Sequence, residues 1–180
     1  QDEKLRNSFR EKAEAGMEID PKSVMREYAP TSDSRFVRVK DRGRAVLEGP
    51  ILNLSIAGWL LEEPRYSAQA ARLILALIAM KWCEGPICDL EGSRFHHVCF
   101  REDHLLTEVT LAMGFLGGIF APEAQKRIAD KVEAAWKVVC AKNSEPGYRN
   151  FMNQGIVGCR GAMLGAIYLQ MERGGYEKDI

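Results

Sequence analysis

Three stretches of the chain share one pattern of apolar and polar residues, and each has an alanine at the corresponding place. These alanines are Ala57, Ala112 and Ala166, which lie 55 and 54 residues apart. Apolar residues recur around them at spacings of three and four, which is typical of helices with one buried face. A unit of helix, tight turn and helix that repeats at nearly constant spacing indicates stacked supersecondary units. The sequence therefore predicts an all-α fold of stacked antiparallel helix hairpins.

Glycine and proline residues divide this pattern into its hairpins. In the first hairpin, the first helix is predicted to end before Pro64 and the second to begin near Ser67. In the second hairpin, the two helices are predicted to begin near Phe100 and at Pro122. The third begins near Gln154, and its second helix has barely begun at residue 180. The predicted turns within hairpins are short and chemically plain: residues 64–66, 117–121 and 173–175. We therefore expect an α-hairpin repeat domain over residues 46–180 that is truncated in its third repeat.

The first 45 residues are charged and only sparsely apolar. Residues 7–14 and 21–28 could each form a short helix, and the brief alternation of apolar and basic residues at 35–46 is consistent with a short strand. We expect this N-terminal segment to consist of short helices or irregular structure.

The connections between hairpins are long and carry unusual polar residues. They cover residues 82–98 and 140–154, and stacking of the hairpins would bring both to one common end of the array. Long ordered loops in compact domains are frequently functional. His96 and Asn150 lie 54 residues apart, so we expect them to occupy equivalent and neighbouring places in adjacent repeats.

The candidate binding residues are the histidine, guanidinium and amide side chains of these two connections. Guanidinium groups pair with carboxylates in a bidentate way, and the N-terminus of a glycine-rich helix favours an anion. Asn153 is equally suited to capping that helix, and the histidines could line a pocket or simply pack. The predicted binding residues are Arg94, His96, His97, Arg149, Asn150, Asn153 and Gln154.

Composition narrows the classes of function. The chain has 25 basic and 25 acidic residues and 46% apolar residues, which indicates a globular fold and argues against a nucleic-acid or membrane-surface binder. The longest apolar stretch is too short to span a bilayer. Five cysteines without a compact spacing favour reduced, mostly buried thiols over a disulfide scaffold. Because cysteines and histidines near residues 83–104 fit no zinc signature, no metal and no cofactor are predicted.

Three segments together resemble the helical domain of heparinase II/III-like polysaccharide lyases. Residues 60–77 resemble a unit with a helix, a short turn, a tyrosine and a helix, residues 96–136 are similar to the next unit, and residues 150–170 resemble a unit that bears asparagine and glycine. The resemblance covers about residues 50–176. The chain departs from many relatives at Gly114-Phe115, where they have an acidic and aromatic pair, and at Phe151, where tryptophan is common.

The resemblance implies an incomplete (α/α) toroid that binds a uronic-acid-containing polysaccharide, which the family cleaves by β-elimination. It also implies a periplasmic or secreted protein, although the residues alone leave the compartment unknown. Family members place their main catalytic asparagine, histidine and tyrosine in later helical units. We therefore expect this chain to be inactive alone, either as part of a longer enzyme or as a shortened relative.

Two other functions remain open from the sequence. One is a non-enzymatic α-helical-repeat module that binds protein or glycan at its loop-bearing end. The other is an (α/α)-barrel glycoside hydrolase, which needs two separated carboxylates, whereas Asp89 and Glu91 are close in sequence. Self-association through the unfinished edge of the repeat array is a further expectation.

Overall fold

The computed structural model of the chain describes residues 2–22, 49–79, 99–144 and 152–180. All regular structure in this part is helical, which confirms the all-α class. The six described helices are α1 (Asp2–Met17), α2 (Pro50–Leu60), α3 (Pro64–Ile78), α4 (Cys99–Leu116), α5 (Pro122–Asn143) and α6 (Met152–Arg173).

The helices α2 to α6 form two layers. Helices α2, α4 and α6 pack side by side with α4 in the middle, and we call them the front layer. Helices α3 and α5 form the back layer, and they contact each other far less than they contact the front layer. Each back helix is joined to the preceding front helix by a short turn, so the hairpins predicted from the repeat are the units that stack.

Front helices α2 and α4 run parallel at a register that matches the sequence repeat. The Leu52 N–H donates to Glu108 Oε2 at 3.3 Å, and the ring centroids of Trp59 and Phe115 lie 5.7 Å apart. Both contacts join residues 56 positions apart. Residues about one repeat apart therefore lie side by side, as expected of stacked equivalent units.

Small residues let the layers approach closely. The repeat alanines Ala57, Ala112 and Ala166 are all fully buried. A Cβ atom added at Gly165 would lie 3.0 Å from both Leu106 Cδ2 and Trp136 Cδ1, so α6 is tightly packed against α4 and α5. The repeated small residue is thus a packing requirement of the front layer.

Helix α1 covers the side of the first hairpin that lies away from α4. It is longer than the helix predicted at residues 7–14, and it buries Ala13 and Gly16, with Gly16 against Leu54 of α2. Its remaining surface is mostly polar and exposed, which is typical of a helix that caps the end of a repeat array. Of the helix expected at 21–28, only residues 21–22 are described, and they are helical; the strand expected at 35–46 lies outside the described residues.

One of the predicted turns within hairpins is confirmed and another is wrong. The turn at Gly117-Gly118 is confirmed, with Gly118 at a φ of 75°. The turn at 64–66 is wrong, because Pro64 is the first residue of α3 and the chain reverses over residues 61–63 instead. Proline suits a first helical position, where its missing N–H needs no partner. In this turn Glu62 adopts a φ of 57°, a left-handed conformation that the sequence did not indicate.

The third hairpin differs from the other two. Helix α6 ends at Arg173, and Gly174 and Gly175 follow with φ values of 71° and 89°. Residues 174–180 form turns and irregular structure in place of the expected second helix. The Tyr176 ring packs edge-on against Trp136 at a centroid distance of 5.3 Å.

Two glycines in the front layer give a matched test of this packing. A Cβ atom at Gly58 would lie 2.1 Å from Ser67 Oγ and 2.9 Å from the Ser67 backbone nitrogen, whereas one at Gly114 would meet nothing within 4 Å. We expect Gly58→Ala to lower the free energy of unfolding by about 1–3 kcal/mol, since α2 and α3 must move apart. Gly114→Ala should raise it by roughly 0.5–1 kcal/mol, because alanine favours the helix. Urea denaturation measures both values, and equal effects of the two substitutions would contradict the packing.

Candidate functional site

Most residues of the predicted site lie outside the described part of the chain. Arg94, His96, His97, Arg149 and Asn150 belong to residues 80–98 and 145–151, which the structure does not describe. Their proximity to one another therefore stays a prediction. Asn153 and Gln154 are described as backbone positions in the first turn of α6.

The start of α6 changes the interpretation of Asn153. Helix α6 begins at Met152, so Asn153 is its second residue and does not take the N-cap position that was an alternative role for it. The N–H groups of the first four helical residues have no partner within the helix. Asn153 and Gln154 thus contribute backbone N–H groups at the positive end of the helix dipole, where an anion is favoured.

The helix ends that flank the connections from α1 to α2, from α3 to α4 and from α5 to α6 lie at one end of the array. Residue pairs Arg10–Glu63 and Ile19–Gln69 show that α1 runs in the same direction as α3. In α5 and α6 the Trp136 Nε1–H donates to the Ala162 carbonyl at 3.0 Å, as expected of an antiparallel pair. The C-termini of α1, α3 and α5 therefore lie at the same end as the N-termini of α2, α4 and α6. We call this the long-connection end, and the opposite end the turn end.

An aromatic pair with an exposed tryptophan, which the sequence analysis missed, lies on the front layer near the turn end. The Trp59 side chain is 62% exposed and packs against Phe115 with an angle of 57° between the ring planes. Leu111, one turn before Phe115, is also exposed. A helix rises about 1.5 Å per residue, so Trp59 lies roughly 13 Å along α2 from the long-connection end. The repeat could have indicated this pair, because Phe115 lies only one residue from the position that corresponds to Trp59.

The charged residues near the first turn form a network that joins α1 to α3. The Tyr66 hydroxyl donates to Glu14 Oε1 at 2.6 Å, and Arg65 donates to Glu14, to the Tyr66 oxygen and to Glu63. The hydrogen bond from Tyr66 and then that from Arg65 hold the pKa of Glu14 below its usual range. Burial and the Glu14 carboxylate raise the pKa of Tyr66 to about 12. This network holds α1 against the first hairpin.

A second charged network joins α5 to α6 near the turn end. Arg173 donates to Asp130, and also to Glu133 Oε2 at 2.6 Å. Lys137 Nζ lies 2.6 Å from the other Glu133 oxygen. Lys137, followed by Tyr176 and Arg173, holds the pKa of Glu133 below its usual range. The charges of this network are paired with one another, so it fixes helix positions and leaves little capacity for an external ion.

Three described tyrosines have pKa values shifted away from neutrality. Burial is the leading cause for Tyr66, Tyr168 and Tyr176, and it raises the pKa of each hydroxyl. A general base that works near pH 7 needs the opposite shift. These tyrosines are therefore suited to structural roles.

Other classes of site were sought in the same part of the chain. Residues 2–22, 49–79, 99–144 and 152–180 contain no group of three histidine, cysteine or acidic side chains that could hold a metal ion. No helix among them is long and apolar enough to cross a membrane. Helix α6 exposes Met163 and Met171, and the expected self-association stays a prediction.

Comparison with known proteins adds no further constraint: no family model, curated protein or solved structure matches this chain.

The network around Glu14 predicts a specific pH dependence of stability. Because the pKa of Glu14 is lowered in the folded state, its stabilising contribution is complete above the pKa of an unfolded glutamate, about 4.3. It is lost as the pH falls through the lower folded value. We expect the thermal midpoint of the wild-type protein to fall more steeply below pH 5 than that of Glu14→Gln.

Tyr66→Phe provides the matched control for this experiment, since it removes only the hydroxyl that contributes most to the shift. It should lower the thermal midpoint at pH 7, and the midpoint should also fall less steeply below pH 5 than that of the wild-type protein. Its effect should shrink in the Glu14→Gln background, and additive effects of the two substitutions would show that the hydrogen bond does not couple the helices.

Proposed function

We propose that this chain is the helical, substrate-binding part of a polysaccharide lyase that acts on uronic-acid-containing polysaccharide. The observation that carries the proposal is the exposed Trp59, paired with the partly buried Phe115 on a layer of parallel repeated helices. The proposal has three parts, which concern the sugar rings, their carboxylates and the reaction.

The aromatic pair suits the rings of a polysaccharide. One face of a pyranose ring carries C–H groups with partial positive charge, and the face of an aromatic ring is partially negative. Large exposed apolar side chains at a specific place often mark a binding surface. Because the rings of Trp59 and Phe115 lie on neighbouring helices with centroids 5.7 Å apart, one sugar unit bound at this place would contact both.

The long-connection end suits the carboxylates of the same polymer. We expect Arg94 and Arg149 to pair with uronates in a bidentate way, and His96, His97 and Asn150 to bind sugar hydroxyls. The free N–H groups at the start of α6, with Asn153 and Gln154, favour the same charge. A polymer that extends along the front layer from Trp59 to this end would use both regions, which are roughly 13 Å apart along the helix.

The reaction makes demands beyond binding. β-Elimination requires neutralisation of the uronate carboxylate, a base for the C5 proton and an acid for the leaving oxygen. The arginine and amide residues suit the first task. The raised pKa values of Tyr66, Tyr168 and Tyr176 make them poor bases. None of these described tyrosines therefore suits the role of the base, and the role that we propose for this part is to bind and orient substrate.

The same tyrosines favour a second candidate, a helical-repeat module that binds acidic glycan without cleaving it. The two candidates share the binding surface. They differ only in whether the complete protein provides a base and an acid for the elimination. They are distinguished by turnover of a longer gene product, since binding is expected in both cases.

The aromatic pair can be tested by substitution. We expect Trp59→Ala to weaken binding of a uronate oligosaccharide roughly tenfold, about 1.4 kcal/mol, because the sugar loses its stacking partner. Leu5→Ala is the matched control, since Leu5 is an exposed apolar residue on α1, which covers the side of the first hairpin away from α4, and it should leave the dissociation constant unchanged. Isothermal titration calorimetry measures both, and equal losses would exclude the front layer as the binding surface.

The basic residues and the reaction can be tested together. The double variant Arg94→Glu, Arg149→Glu should lose most binding to acidic glycan while its circular dichroism spectrum and thermal midpoint stay close to wild type.

Ultraviolet absorbance of the unsaturated elimination product, measured on heparin-like and alginate-like polymers, reports turnover. Turnover by a longer gene product that contains this chain would support the lyase, whereas binding without turnover would support the module. Unchanged binding by the double variant would contradict both.

A further inference from the structure

Two cysteines lie near the long-connection end of the α5–α6 pair. Cys140 follows Trp136 by one helical turn, and Cys159 precedes Ala162 by three residues. The Trp136 Nε1–H donates to the Ala162 carbonyl at 3.0 Å. Because the helices are antiparallel, a step forward on α5 corresponds to a step back on α6, and this register brings Cys140 opposite the region of Cys159.

The backbones of the two helices approach closely at a neighbouring level. A Cβ atom at Gly165 would lie 3.6 Å from Trp136 Cβ, one helical turn before Cys140. The electrostatic influence of Cys159 contributes to raising the pKa of the Cys140 thiol, after burial and Asp179. A disulfide needs Cα atoms roughly 4.4–6.8 Å apart, a separation that tightly packed helices reach at facing positions.

The thiols differ in their access to solvent. Both are free; Cys159 is exposed and Cys140 is partly buried. Cys159 is thus an exception to the expectation of mostly buried thiols. An exposed thiol can meet an oxidant, and a partly buried neighbour can then resolve the product.

We propose that Cys159 and Cys140 form a reversible redox pair that is oxidised by a hydroperoxide. The Cys159 thiolate attacks the peroxide oxygen, the O–O bond breaks, and Cys159 becomes a sulfenic acid while the peroxide leaves as water or an alcohol. The Cys140 thiolate then attacks the sulfenic sulfur, an S–S bond forms, and hydroxide leaves and takes a proton to become water. Two thiols lose two electrons in total and one peroxide gains them. A dithiol reductant reverses the reaction by thiol–disulfide exchange.

The bond would fasten the end of α5 to the start of α6. It would close a loop over residues 141–158, which restricts the unfolded chain and raises the thermal midpoint. The proposal does not depend on the polysaccharide function.

Tryptic peptide mapping can test the pair directly, because trypsin separates the relevant cysteines. Cys140 falls in the peptide 138–142 and Cys159 in the peptide 150–160, whereas the other three cysteines fall in 82–94 and 95–101. After stoichiometric hydrogen peroxide, the main disulfide should join 138–142 to 150–160 within one molecule. Its mass should be lower than the sum of the two peptides by two hydrogen atoms, and dithiothreitol should restore both peptides.

Two single variants complete the test. In Cys140→Ser, the sulfenic acid of Cys159 should persist and be trapped by dimedone on 150–160. In Cys159→Ser, Cys140 should remain largely reduced at the same dose, and the rise of the midpoint on oxidation should disappear. A main disulfide to Cys83, Cys88 or Cys99, or overoxidation of Cys159 in the wild-type protein without any link to Cys140, would overturn the proposal.

Discussion

The parallel packing of α2 against α4 fixes the relative position of the first two hairpins, and a buried acidic side chain contributes to this contact. Glu108 of α4 is almost fully buried and accepts a hydrogen bond from the Leu52 N–H in the first turn of α2. The residue that precedes α2 is Gly49, which has no side chain to cap the helix. The neighbouring repeat therefore supplies the acceptor and the negative charge that this helix N-terminus favours. A shift of α2 along α4 by one turn would remove this bond.

The same register creates the candidate binding surface. It places Trp59 beside Phe115 at the turn end of the front layer and keeps the N-termini of α2, α4 and α6 at the other end. The charged networks around Glu14 and Glu133 hold α1 and α6 in place at the two sides of the array. The tyrosine and arginine side chains of these networks already pack or pair within the protein. The proposed function therefore rests on the front layer and the long connections.

Much of the fold could be predicted from the sequence because it rests on local periodicity. The three repeat alanines are all buried, as expected of equivalent positions, and the glycines at 117 and 118 form the predicted turn. Features that depend on contacts between distant residues were missed. Nothing local marks Glu108 as a cap for another helix, and exposure of Trp59 or Cys159 depends on which helix face the neighbours cover. The turn at Pro64 was misplaced because proline both breaks a helix and begins one. The long-connection residues of the candidate site stay predictions from the sequence.

The central claim, that the front layer and the long-connection end bind an acidic polysaccharide, is tested most directly by calorimetric titration with matched oligosaccharides. A uronate oligosaccharide and a neutral one of the same length and linkage would be compared at low and high salt. The account predicts that the uronate ligand binds more tightly, and that its advantage shrinks as salt screens the charges. Equal affinity for the two ligands, or no binding of either, would contradict it.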